Sequence, residues 1–276
     1  MFAILGLMGV AMGALMIDFG DEDEVQTTPD LDDDKDDEVT PLDDVMAEPD
    51  DDTVIYAGDG DETVVAGSGD DFVNGQDGDD HLIGGAGDDE LHGGRGDDVL
   101  EGQAGDDLLF GHVGDDVMTG GSGDDDLNGG SGDDVLKGEG GDDALLGSLG
   151  NDSLFGGAGA DTMHGGSGDD LIEDRGDADR DYLNGGAGDD ILRGDAGDHY
   201  HGGSGTDQFS LAGGDAVVAD FDPEEDSVEI SYEGEAPELT TALSDAGLTL
   251  LANGEVVATF SNLTELDVAK VTLVAA

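Results

Sequence analysis

A unit of nine residues recurs twelve times without insertion or deletion between positions 66 and 173, and this repeat limits the fold more than any other feature. The units run from AGSGDDFVN (66–74) to GGSGDDLIE (165–173), and AGDGDETVV (57–65) precedes them with Glu62 at the sixth place. Irregular units follow: an eleven-residue stretch (174–184), GGAGDDILR (185–193), GDAGDHYH (194–201, one residue short) and GGSGTDQFS (202–210). A glycine-rich hexad every nine residues breaks any 3.6-residue periodicity, so helix is excluded. Aspartate fills the sixth place of all twelve regular units, and the eighth is always apolar, from Val73 and Leu82 to Met163 and Ile172. The seventh and ninth places vary in type. The pattern reads as a turn of six residues, whose glycines at the first, second and fourth places allow positive φ, followed by three extended residues with only the middle one buried.

One buried apolar side chain in nine makes a thin core, too thin to offset the entropy of ordering the unit. Charge makes the case worse. The chain carries 72 acidic and 7 basic residues, a formal net charge of -65, and residues 57–210 alone hold 40 acidic residues against 5 basic ones. Such a field repels nucleic acid and anionic membrane surfaces. The absence of cysteine excludes a disulfide framework, thiolate metal sites and thiol catalysis. Stacked turns bring rows of carboxylates together, so the bare polypeptide is not expected to fold. A divalent cation between turns reverses that repulsion. Hard oxygen ligands select Ca²⁺ or, less well, Mg²⁺, and crowded, carbonyl-rich turns favour the larger Ca²⁺.

The nonapeptide GGxGxDxUx resembles the RTX, or haemolysin-type, calcium-binding repeat, and the resemblance extends over about 57–210. It implies an all-β fold: a right-handed parallel β-roll with two repeats per coil and calcium between successive turns on each edge, held by sixth-place aspartates and turn carbonyls. Carried over by place, Asp71, Asp89, Asp107, Asp125, Asp143 and Asp161 line one edge, and Asp80, Asp98, Asp116, Asp134, Asp152 and Asp170 line the other. Twelve units give ten pairs spaced two apart, hence about ten calcium ions. The fifth-place aspartates, such as Asp70, Asp79 and Asp88, are expected to face solvent. The insertion at 174–184 and the missing residue at 194–201 set Asp181, Asp190 and Asp207 apart from the regular array. Of these, Asp190 is retained as a candidate ligand, and His199 is read as standing where an aspartate belongs.

The flanks differ in texture. Residues 1–17 (MFAILGLMGVAMGALMI) form an apolar run that suits a membrane anchor or a signal. Residues 18–56 read as an acidic disordered linker, with 18 acidic residues and one lysine over 18–53. From 211 to 276 the composition is ordinary β, with strand-like runs at 217–221, 227–232, 248–251, 255–260 and 271–274 and a hairpin signal at Asn253-Gly254. This segment reads as a β-rich cap, which the resemblance pairs with a type I secretion signal.

Other motifs are weak. Residues 177–181 (DADRD) open like an EF-hand loop, but Tyr182 replaces the needed glycine and Gly188 the bidentate glutamate. Arg-Gly-Asp occurs at 95–97 and 175–177, the first as a product of the repeat register, and His199-Tyr200-His201 lacks a third zinc ligand. Neither H-E-x-x-H nor G-x-S-x-G occurs, so no enzyme is expected. The resemblance implies a calcium-binding protein, secreted or displayed on the surface of a Gram-negative bacterium, that folds on Ca²⁺ outside the cell and serves a structural or adhesive role. The alternative is a soluble exported calcium buffer or matrix component, and a hydrolase with an unrecognised site is the third reading. The implied partners are calcium ions and the type I secretion machinery, with no nucleic acid and with membrane association only through residues 1–17.

Overall fold

The computed structural model describes residues 45–47, 52–232 and 234–275. The apolar run 1–17 and most of the acidic stretch 18–56 lie outside the described residues. The described part is a parallel β-solenoid. Strands alternate between two sheets of 12 and 13 strands, so each coil uses two nonapeptides. Each strand of the array pairs in parallel with those one coil away: Phe72–Asp77 lies between Val54–Asp59 and Glu90–Arg95. Pairing begins upstream of Ala57, since Val45–Ala47 pairs with 63–65. Among the described residues, no helix is long and apolar enough to cross a membrane.

The division of the unit differs from the sequence expectation. Each regular strand has six residues, the seventh to ninth places followed by the first to third of the next unit, as in His81–Ala86. Only the fourth to sixth places form the turn. Two places face inward instead of one: the eighth, apolar, and the first, glycine. The eighth-place side chains stack into one column between the sheets, from Val73 to Ile172, none more than 2% exposed.

The glycines have separate reasons. Positive φ falls at the second and fourth places, for example Gly85 (125°) and Gly87 (132°). Non-glycine residues adopt it at the second place too, including Gln76 (86°) and His112 (77°). First-place glycines have no such φ. They are required for space, because a Cβ there would strike the sixth-place carboxylate of the same unit.

Beyond residue 210 both sheets continue. One adds Ser227–Tyr232 and Val271–Ala275; the other adds Ala216–Val218 and Glu255–Phe260, then the antiparallel strands Gly247–Ala252 and Leu239–Ser244. The hairpin at Asn253-Gly254 is present, with both central residues at positive φ (53° and 89°). Leu239–Ser244 was not anticipated; it is largely exposed and carries no two-fold burial alternation to betray it. The core thickens here: Tyr200, Phe209, Phe221 and Phe260 meet in a chain of ring contacts 5.2–6.3 Å between centroids.

Candidate metal centre

The turns at the two edges of the roll lie outside the strands, so their N–H groups need partners of their own. The fourth-place N–H donates to a carbonyl one coil on, as Gly78 does to Arg95 at 2.7 Å, and the seventh-place N–H to a carbonyl one coil back, as His81 does to Glu62. The two between them are met by carboxylates. The fifth-place N–H donates to the fifth-place aspartate of the preceding coil, as Asp88 does to Asp70 Oδ1 at 3.1 Å. The sixth-place N–H donates to the sixth-place aspartate of the following coil, as Asp98 does to Asp116 Oδ1 at 2.8 Å. Two ladders of opposite sense therefore run along each edge. The fifth-place carboxylates are exposed as expected, but they also bond the coils, a role that exposure alone does not reveal.

The sixth-place ladders join residues eighteen apart in sequence. One follows Asp71, Asp89, Asp107, Asp125, Asp143 and Asp161; the other follows Asp80, Asp98, Asp116, Asp134, Asp152 and Asp170. All twelve are at most 2% exposed, and Asp190 is equally buried at 1%. In these thirteen residues Oδ1 is committed to a backbone N–H, while Oδ2 is buried and no N–H or hydroxyl donates to it. A buried carboxylate oxygen without a partner is costly, and a full row of them calls for an external cation.

The space next to each Oδ2 is lined by oxygen. The Cβ position of Gly75 faces Asp80 Oδ2 and lies 2.7 Å from the Gly93 carbonyl oxygen; that of Gly111 faces Asp116 Oδ2 and lies 2.7 Å from the Gly129 carbonyl. Hard anionic and carbonyl oxygens, with no sulfur or imidazole, are the donor set of calcium, so these residues fit the ion.

Electrostatics agree. Burial, opposed by the backbone hydrogen bond and assisted by neighbouring aspartates, pushes Asp89, Asp98, Asp125, Asp134 and Asp170 up to about 7. Asp116, Asp143 and Asp190 rise to about 6 from the same leading cause. Without a cation, the five groups near 7 are about half protonated at neutral pH.

The irregular units keep the ladders. Asp161 N–H donates to Asp181 Oδ1 (2.9 Å) and Asp170 N–H to Asp190 Oδ1 (2.9 Å), each across twenty residues, so the insertion bulges out and leaves the edge intact. Asp190 in turn donates to Asp207 Oδ1 at 3.1 Å. The placement of His199 is corrected: Asp198, fully buried, occupies the sixth place and accepts from Asp181 N–H at 3.3 Å. The residue missing from 194–201 is the fifth-place one, and His199 begins the next strand. Asp174 is also outside the sequence reading: it is buried, its Oδ1 accepts from Gly157 N–H at 3.4 Å and no donor reaches its Oδ2; its only signal is an aspartate where the repeat has its first glycine.

The weaker motifs are absorbed locally. Asp177 accepts from Gly159 N–H (3.1 Å) and Asp179 N–H (3.1 Å), tying the EF-hand-like run to the preceding coil. Arg95 reaches Asp77 at 3.4 Å and Arg175 donates to Ser210 Oγ at 2.8 Å. His199 and His201 flank the buried Tyr200, with His201 Nδ1 3.2 Å from Asp220.

No curated protein sequence matches the chain. Among solved structures, an extracellular lipase, LipA from Serratia marcescens, aligns at 19% identity over 75% of this chain and 40% of the lipase, with a TM-score of 0.25. The chain thus spans well under half of that protein. The family model of the RTX calcium-binding nonapeptide repeat matches at 56–91, 83–118, 92–127, 119–154, 137–172 and 175–199, together just over half of the chain. With its nonapeptide coils and buried aspartate ladders, the chain belongs to the family of RTX calcium-binding nonapeptide repeat proteins.

Proposed function

We propose that calcium ions held between coils are what keep this roll folded, and that the protein serves as a secreted or surface-displayed structural or adhesive element. The observation that carries the reading is the row of buried, unpartnered Oδ2 atoms. Asp71, Asp80, Asp89, Asp98, Asp107, Asp116, Asp125, Asp134, Asp143, Asp152, Asp161, Asp170 and Asp190 supply the carboxylates, and first-place carbonyls supply neutral oxygens. Ten pairs in the regular array correspond to about ten ions. They bring about +20 against the -35 of residues 57–210, which quenches most of the repulsion along the edges.

Extracellular calcium modules bind in the range of roughly 10⁻⁴–10⁻³ M, so a chain of this kind stays unfolded at cytosolic calcium and folds after export. In this reading the role is non-catalytic, the repeated geometry of the roll being used to join its own coils. Circular dichroism at pH 8 is the test. The chain is expected to lack β signal in excess EDTA and to gain it cooperatively in millimolar Ca²⁺, with uptake of several ions by calorimetry. A β-rich, compact chain in EDTA at pH 8 overturns the proposal. Fractionating cells and medium, with and without residues 1–17, separates surface display from a soluble exported role.

A further inference from the structure

We propose that the first irregular unit builds a separate and tighter calcium site from Asp161, Asp174 and Asp181, different in composition from the niches of the regular repeat. The proposal rests on the calcium-binding reading of the roll and adds a site that the repeat pattern does not contain. In the regular coils, the niche above a first-place glycine holds one unpartnered carboxylate oxygen and the carbonyl of the next first-place glycine. At Gly156 this changes. The residue one coil on is Asp174, and its side chain enters the niche where a glycine would offer only a carbonyl. The Cβ position of Gly156 faces Asp161 Oδ2 and Asp174 Oδ2 together, so only glycine admits both.

Carboxylate oxygens of Asp161, Asp174 and Asp181 all lie within 4.8 Å of one another, and the three residues are 1%, 2% and 2% exposed. Asp161 Oδ2 and Asp174 Oδ2 are buried, no N–H or hydroxyl donates to either, and the two carboxyls face each other in the niche. Among the described residues, no lysine, arginine or histidine pairs with any of the three. Of the two arginines adjacent in sequence, Arg175 is engaged with Ser210 and Arg180 is exposed and forms no ion pair with the three. Three formal negative charges thus converge in a buried space with nothing positive to face. Ligand charge count and site rigidity set calcium affinity. A site with three carboxylates on adjacent coils therefore binds before niches that hold fewer, and it pins the insertion at 174–184 to the coil on either side.

The experiment is calorimetric titration of the full-length chain with Ca²⁺ at pH 8, wild type against Asp174→Gly and Asp174→Asn. Glycine restores the repeat consensus, and asparagine keeps the shape while removing one charge. The wild type is expected to take up one ion at least about tenfold more tightly than the remainder. Both variants lose that first event and keep the later cooperative uptake and its β signal. Tb³⁺ provides a second readout, because Tyr182 directly follows Asp181. Tyrosine-sensitised emission is expected to saturate with the first equivalent and to fall in Tyr182→Phe. A single class of sites in the wild type, or superimposable isotherms for wild type and Asp174→Gly, overturns the inference while leaving the calcium-held roll intact. Absence of calcium uptake at every site overturns both.

Discussion

If protons and calcium compete for the same buried carboxylates, acid alone should fold the calcium-free chain. The perturbation is a change from pH 8 to pH 5 in excess EDTA. Asp89, Asp98, Asp125, Asp134, Asp170 and Asp181 sit at about 7 in the roll, against an ordinary value of 3.8. A raised carboxylate binds more protons folded than unfolded, so its contribution to stability is complete below the unfolded value and is lost as pH rises through about 7. Between pH 8 and pH 5, each such group favours the roll by about 2–3 kcal/mol. Neighbours in a ladder repel one another, so protonating one relieves the next, and the six contributions do not simply add. Even a third of their sum, about 5 kcal/mol, equals the whole stability of a small domain. Far-UV circular dichroism and small-angle scattering in EDTA, read against the calcium-bound chain at pH 8, measure the effect. A chain as expanded and coil-like at pH 5 as at pH 8 refutes the reasoning, because the buried carboxylates would then not be what opposes folding.

Three further outcomes rest on the same geometry. Calcium binding should expel protons at pH 5, where the calcium-free chain is folded with Asp125 and Asp134 protonated, and few at pH 8; calorimetry in buffers of different ionisation enthalpy counts them. In the calcium-bound roll, Leu136→Ala leaves a cavity in the one-residue-wide core and should cost about 2–5 kcal/mol. Gly132→Ala, at φ 132° and aimed at the Gly114 carbonyl, should lower the thermal midpoint through strained backbone instead; equal stability of either variant with the wild type would contradict the packing described.

Much of the roll is legible in the sequence because the period is strict. The eighth-place column, the alternation of two edges, the distinct sixth place with its buried aspartates and the Asn253-Gly254 hairpin all follow from spacing and residue type. What escapes is information that spacing does not carry. Glycine at the first place looks like another turn residue, yet its backbone is ordinary and the demand is for room beside Asp80 or Asp134. Fifth- and sixth-place aspartates look alike, but they bond to coils on opposite sides, as Asp88 and Asp116 show. At 194–201 the sequence shows that one residue is missing but not which one; the structure keeps Asp198 on the ladder and sacrifices the exposed fifth place. Water can replace the acceptor of an exposed fifth-place N–H, whereas the buried sixth-place N–H of Asp181 has no such substitute.

The ends of the ladders are built differently from their middles. Each sixth-place carboxylate of the regular array uses one oxygen on the coil before it and leaves the other without a donor, free for the proposed cation, so a ladder that simply ended would expose an unmatched charge. Instead each ladder ends on an aspartate with both oxygens taken by backbone. Asp198 accepts from Asp181 N–H (3.3 Å) and Asp195 N–H (2.6 Å). Asp226 accepts from Asp207 N–H (3.0 Å) and Asp222 N–H (2.7 Å). Over the same coils the apolar column widens from single leucines to Tyr200, Phe209, Phe221 and Phe260. Aromatic rings bury far more surface per residue than a lone leucine or valine. On the calcium-held reading, the demand for the ion is therefore graded along the chain: greatest over 66–173, where no donor reaches any sixth-place Oδ2, and least where backbone donors and aromatic packing take over that work.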